Sequence, residues 1–416
     1  MPKRKTSDIQ IGRRELVVLL ALMMSLNALA IDAMLPLLDE IARDLAVVDA
    51  NRRQLVVGVY TIAMGIGALL PGSFGDRFGR RPVILTSLAA YCTLSLISAF
   101  LTDFEVLLWM RGIMGLMCAG LMVMPMTIVR DIYDGDAMAR LMSLVSAVFI
   151  TVPVVAPSLG SAIALLAGWR FIFVGLAVMG GIAAVWVWFR LPETLTEDNR
   201  QHIQLPVIVR NMRLALINRQ AVGYVFGAAL LMGGVFGYVN SAQQLYQDFF
   251  GVGAWFPVLF GGTAAMMAIS SLVNSRIVMR FGARRVSHAG TLMFIGVSAT
   301  QVWSSYAHPG NIYWFLPLMS VNLGLLGFLG ANFSSIAMQP FATIAGAASS
   351  VQTFFRMFGA AMVGVLIGQA YDGTALPFAW SLLGTSVLAL LLVLFSERGV
   401  LFRRLHYPPQ KTVPVR

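Results

Sequence analysis

The sequence predicts an all-α polytopic membrane protein with twelve transmembrane helices in two six-helix bundles. Three observations carry that prediction. The chain of 416 residues is 58% hydrophobic and only 12% charged, with a mean hydropathy of +0.78, whereas a soluble domain is about 45–50% apolar and about 25% charged. Apolar runs of about 20 residues, the length a bilayer-spanning helix needs, recur along the whole chain. Arg77-Phe78-Gly79 recurs 203 residues later as Arg280-Phe281-Gly282, close to half the chain length, as in a fold of two similar halves.

The runs are helices because backbone groups in hydrocarbon must be satisfied within the segment, and because they lack the alternation of a membrane barrel. They fall at 15–38, 54–73, 82–101, 105–129, 138–165, 169–190, 221–245, 255–275, 287–306, 312–335, 345–370 and 376–396. The first resembles a signal peptide, with Lys3-Arg4-Lys5 ahead of an apolar stretch and Ala28-Leu29-Ala30 behind it. The run continues through Asp32 to Leu38, too long for such a signal, so it reads as an uncleaved helix. The longest polar interval, 191–220, divides six helices from six. The expected domains are therefore an N-terminal bundle (1–190), a cytoplasmic linker (191–220), a C-terminal bundle (221–396) and a cytoplasmic tail (397–416).

The net charge of +11 is nearly all arginine, and it sits in the loops between spans rather than on one nucleic-acid-binding face. With both termini in the cytoplasm, the cytoplasmic segments carry 24 Lys and Arg and the outer loops carry 4: Arg43, Arg52, Arg53 and Arg170. This bias sets the topology. Cys92 and Cys118 lie in apolar runs and read as free thiols. His202, His288, His308 and His406 are widely spread, with no metal-spaced cluster and no nucleophile motif, so an enzyme is not expected. No phosphate-binding GxxxxGK[ST] is present, which argues against an ATP-driven pump.

Charges within the spans point to function. Asp32 is the only carboxylate well inside one, and Arg111 and Arg356 are the only cations. Each costs at least about 2.5–3.5 kcal/mol at mid-membrane, so they should face a cavity or each other. Asp32 shares a helix face with Ser25, Ala28 and Pro36; Arg111 with Gly115 and Cys118; Arg356 with Gln352, Thr353, Gly359 and Ala360. A carboxyl group in a half-dry cavity is suited to load and release a proton, or to hold a cationic substrate. The bland alternative is a static ion pair with an arginine.

Between helices 2 and 3, Gly72-Ser-Phe-Gly-Asp-Arg-Phe-Gly-Arg-Arg-Pro82 reads as a charged loop. Gly72 and Gly79 permit close approach and a tight turn. Asp76 is expected to accept hydrogen bonds at a helix N-terminus of the other half. Arg80 is expected to pair with Asp131, and Arg77 completes this conformational latch. Met279 replaces Asp76 in the second copy. In helix 5, Pro153, Pro157 and Gly160 suggest a kink and tight packing. Asn27, Tyr60, Met64, Tyr238, Asn240, Gln243, Asn332 and Arg356 are candidates for lining a substrate cavity.

Gly72-x-x-x-Asp76-Arg77-x-Gly79-Arg80-Arg81 resembles the signature loop of the major facilitator superfamily. Arg111-x-x-x-Gly115 is similar to that family's helix-4 motif, whose arginine is implicated in proton coupling. Ala156-Pro157-x-x-Gly160 resembles the helix-5 antiporter motif, with Ser161 where a second glycine is common. Ile31-Asp32-Ala-Met-Leu-Pro36 and Arg130-Asp131-Ile-Tyr133 resemble the bicyclomycin/chloramphenicol-resistance branch of drug:proton antiporters. The resemblance implies a multi-pass transporter of the bacterial inner membrane that confers antibiotic resistance. It would export small hydrophobic or cationic drugs by alternating access, coupled to protons through Asp32 and Arg111. Its energy would come from the proton gradient with no cofactor and no metal, and it would act as a monomer. The alternative is a proton-coupled uptake symporter for a small metabolite.

Overall fold

In the computed structural model, residues 11–49, 51–133, 135–195, 213 and 216–402 are described. Most of the predicted linker and tail lies outside them. Among the described residues fourteen α-helices follow one another.

Each of the twelve expected spans coincides with a helix or a helix pair. The first is broken: α1 (Arg13–Asp32) gives way, through a 3-10 turn at Leu35–Leu37 containing Pro36, to α2 (Leu38–Asp44). The break begins directly after Asp32. The second is bent by 49° between α3 (Leu55–Gly67) and α4 (Leu70–Phe78). Pro71 sits in the first turn of α4, where its missing N–H costs nothing. The charged stretch from Gly72 is therefore mostly helix, a correction to the loop reading. The turn is Gly79 alone, at φ 104°, before α5 (Arg80–Ala99). Gly282, at φ 83°, does the same in the second half. A side chain at either position would be strained, which explains the glycine in both copies.

The N-terminal half continues with α6 (Phe104–Ile132), α7 (Gly135–Ala167) and α8 (Arg170–Arg190). Asp103 caps α6 by accepting from Val106 N at 2.9 Å. Pro153 and Pro157 lie inside α7. A Cβ on Gly160 would collide with the Ala33 carbonyl, so helix 5 presses its glycine against the break in helix 1. The second half comprises α9 (Arg219–Gln243), α10 (Phe256–Phe281), α11 (Ala283–Ala307), α12 (Ile312–Met338), α13 (Ala345–Gln369) and α14 (Leu376–Ser396). A π-helical turn at Gln244–Phe249 extends α9.

Packing follows the two groups. Helix α1 lies on α6, α7 and α8, and α3 on α6; α9 lies on α12, α13 and α14, and α11 on α12 and α14. Between the groups, α3 meets α13 and α7 meets α10. Small residues allow this: a Cβ on Gly65 would stand 2.7 Å from Phe358 Cα, and one on Gly58 2.6 Å from Val365 Cγ2. Large apolar side chains such as Trp109, Phe189, Leu272 and Leu366 stay exposed around the outside, as a lipid-facing surface requires. Eight helical stretches among the described residues are long and apolar enough to cross a bilayer, nine if the bent α3–α4 pair counts as one. The chain is a multi-pass membrane protein.

Candidate functional site

Arg111 is completely buried on α6 and joins three helices. Its Nε donates to Val56 O on α3 at 2.9 Å, and Nη2 donates to Ala30 O on α1 at 2.8 Å. The guanidinium lies 4.3 Å from the Tyr60 ring centroid. Tyr60 Oη donates to Asn27 Oδ1 at 2.6 Å, and Asn27 Nδ2 reaches Cys118 O at 3.4 Å. Two of the predicted cavity residues thus belong to the packed interior of the N-terminal half. Met64 is buried in the same core.

Asp32 is 5% exposed. Among the described residues it accepts no hydrogen bond and faces no cation. Arg111 stops at the carbonyl of Ala30, two residues short of it. The static ion pair is therefore not formed. What remains is a buried carboxyl group at a helix break, next to the residue, Ala33, on which Gly160 presses. Such a group is costly to keep charged without a counter-ion.

The end of the molecule opposite the start of α1 is closed across the two halves by residues at or just beyond the ends of the predicted spans. Arg53, 4% exposed, donates to Asp39 Oδ1 at 2.9 Å and also pairs with Asp248 beyond α9. Gln54 bonds Gln244, which donates to Asn51 Oδ1 at 2.8 Å. Asn51 in turn exchanges bonds with Gln369 at the end of α13 and donates to Tyr371 O just beyond it. Gln247 Nε2 reaches Pro36 O at 3.4 Å, so the closure touches the helix-1 break. The available signal was Arg53-Gln54 ahead of helix 2 and the Gln243-Gln244-x-x-Gln247-Asp248 cluster after helix 7. Arg53→Ala is expected to cost only about 1–2 kcal/mol, because Asp39 and Asp248 are 39% and 37% exposed and partly screened. It should nonetheless speed maleimide modification of a cysteine introduced at Asn240, in a protein lacking Cys92 and Cys118. An unchanged rate would mean that Arg53 does not hold this end closed.

At the other end, Arg80 pairs with Asp131 at 2.9 Å, as the sequence suggested, and with Asp76 at 2.6 Å. Among the described residues Asp76 bonds Arg80 of its own half, and the expected contact with the other half is not formed in this structure. The N-terminus of α5 is capped instead by Glu193, which accepts from Arg80 N at 2.9 Å and Arg81 N at 3.1 Å. Arg77 lies over the Phe78 ring at 5.1 Å. In the second half Glu397 forms an ion pair with Arg284 at 3.0 Å and accepts from Tyr224 Oη at 2.8 Å.

The other cavity candidates do not converge. Tyr238 Oη bonds Thr263 at 2.5 Å and Tyr246 at 3.0 Å, and its ring stacks on Phe260, inside the C-terminal aromatic core. Asn332 and Asn274 exchange two bonds at 2.9 and 3.2 Å, joining α10 to α12. Asn240 is buried with both amide atoms unbonded, and Gln243 donates to Asp248 Oδ1 at 3.3 Å near the closed end. Arg356 is half-buried near the middle of α13.

Residues 20–364 match the family described as the Major Facilitator Superfamily. Over 386 residues the chain is 28% identical to the bicyclomycin resistance protein homolog of Haemophilus influenzae, covering 91% of this chain and 95% of that one. It is also 28% identical to a chloramphenicol resistance protein of Pseudomonas aeruginosa, over 76% of this chain and 75% of that one. In fold it is similar to the xylose transporter XylE from E. coli in a partially occluded inward-open conformation, with a TM-score of 0.69 at 13% identity, covering 90% of this chain and 95% of that one.

Proposed function

Because the chain belongs to the Major Facilitator Superfamily, we propose that it is a proton-driven exporter of small hydrophobic or cationic drugs, working by alternating access as a monomer in the bacterial inner membrane. The excess of Lys and Arg in the loops on the side of the termini supports placing both termini in the cytoplasm. Bicyclomycin and chloramphenicol resistance among its relatives supports drugs as the cargo. The two groups of helices would move as bundles, 1–190 against 221–396.

The observation that carries the coupling is Asp32: buried, unpaired and at the end of α1. With no cation facing it, a proton is the counter-charge within reach. Arg111 holds the backbone two residues away, so Asp32 sits against a fixed frame on one side and a helix break on the other. Pro36, four residues on, accepts from Gln247 of the other half. Loading or losing a proton at Asp32 would therefore be felt at the closed outer end. A drug enters from the cytoplasm, the halves rock, and an incoming proton displaces it and resets the carrier.

The test is drug susceptibility of an efflux-deficient bacterium carrying this chain or an empty vector. The panel would hold chloramphenicol-like, bicyclomycin-like and cationic dye compounds. Protection against at least one compound, abolished by a protonophore, is expected. No protection from any compound, together with proton-coupled uptake of a metabolite, would overturn the export reading.

A further inference from the structure

We propose that Arg356 is the anion-binding group of the transport site, so that a preferred cargo is an apolar compound bearing one acidic group, such as an aryl carboxylate or sulfonate. This rests on the export reading above and extends its cargo from hydrophobic and cationic compounds to apolar acids.

Arg356 has no hydrogen bond, ion pair or aromatic ring against it among the described residues. Every other arginine from Arg219 to Arg398 is satisfied or lies at a helix end. Arg219 and Arg280 lie over Phe395 and Phe281, Arg284 pairs with Glu397, and Arg285 bonds Phe402 O. Arg276 and Arg398 are exposed.

The half also has no acid to spare. Between 221 and 402 the only carboxylates are Asp248, Asp372 and Glu397. They are engaged by Arg53, Thr374 and Arg284 respectively, all at helix ends. A half-buried cation in mid-span needs compensation from somewhere. The one unpaired carboxyl group within a span, Asp32, lies in the other half and is assigned to the proton. With Asp32 given over to the proton cycle, no carboxylate of the chain is left for Arg356, and the cargo supplies its partner. A guanidinium suits this role because its planar fork matches carboxylate or sulfonate oxygens.

Aromatic side chains occupy the other faces of this stretch of α13. Phe354 and Phe358 stack at 5.6 Å, and Phe355 lies against Phe226 at 5.6 Å. The backbone of Phe358 touches Gly65 of α3. This stretch of α13 therefore packs against the N-terminal half on its Phe358 face.

Two fluorescent probes differ only in the acidic group: 8-anilinonaphthalene-1-sulfonate and the neutral N-phenyl-1-naphthylamine. They would be titrated into the full chain in phosphatidylcholine nanodiscs, with empty nanodiscs subtracted. The wild type should bind the sulfonate about tenfold more tightly than the neutral probe, a ratio of about 1.4 kcal/mol. Arg356→Gln should lose that preference while keeping its affinity for the neutral probe and its melting temperature, and Arg356→Lys should retain most of it. Unchanged sulfonate binding in Arg356→Gln, or equal loss of both probes, would overturn the proposal. So would recovery of sulfonate binding when Asp32→Asn is added, which would make Arg356 the partner of Asp32. Should Arg356→Gln not fold, competition decides: naphthalene-1-sulfonate should displace the bound sulfonate probe from the wild type and naphthalene should not, and displacement by both equally would overturn the proposal. Drug protection measured in cells tests export separately, so either reading can fail alone.

Discussion

Asp32→Asn is expected to reduce drug protection to the level of the empty vector while leaving the melting temperature of the purified protein unchanged or slightly raised. The two expectations come from the same geometry. Asn occupies the space of Asp, and among the described residues Asp32 makes no bond that Asn would break. Removing a buried group that can carry an unpaired charge recovers desolvation cost, so the fold should not suffer. Proton-driven transport in everted vesicles should disappear, because the amide cannot take up and release a proton in the cycle. Asp32→Glu should keep part of the activity. Full coupled efflux by Asp32→Asn at equal expression would remove Asp32 from the mechanism.

Arg111 should give the opposite pattern, with losses in both transport and stability, and with lysine worse than methionine. Its guanidinium reaches two carbonyls on different helices at once, a span that a lysine ammonium cannot reproduce. Arg111→Lys therefore keeps a buried charge while losing its solvation by those carbonyls, at a cost of about 3–5 kcal/mol. Arg111→Met removes the charge along with the bonds and fills similar volume, so a loss of about 1–2 kcal/mol is expected. Both variants should lose transport, since the frame beside Asp32 is loosened in each. Melting temperatures in detergent measure the ranking. A lysine variant as stable as wild type would show that the two carbonyl contacts contribute little.

The spans were legible because lipid imposes a simple length and composition rule on each segment. The Arg-Phe-Gly repeat was legible because one backbone conformation demands glycine in both halves. The Arg80–Asp131 pair could be read from charge and helix position alone. The stretch from Leu70 to Phe78 could not: its glycines and proline look like a loop, yet Pro71 falls in the first turn, where a helix tolerates it. The closed end was hidden for a different reason. Arg53 meets Asp248 at a separation of 195 residues, and Asn51 meets Tyr371 at 320. Such convergence has no local signature. Tyr238 misled because a polar tip on an aromatic ring suits a cavity wall and a buried network equally, and only its bonds to Thr263 and Tyr246 distinguish them.

The contact between α3 and α13 has a mechanical meaning. At Gly65 the two helices meet through bare backbone, and at Gly58 one small side chain, Val365, rests where a Cβ would stand. Such a surface behaves as a bearing: it keeps its two parts in register while letting one roll on the other. The polar ties around Arg53 and Gln244 act instead as a clasp. Friction in the cycle should then reside in the clasp rather than the bearing, and the pace of turnover should respond to salt and to substitutions there far more than to the fluidity of the surrounding lipid.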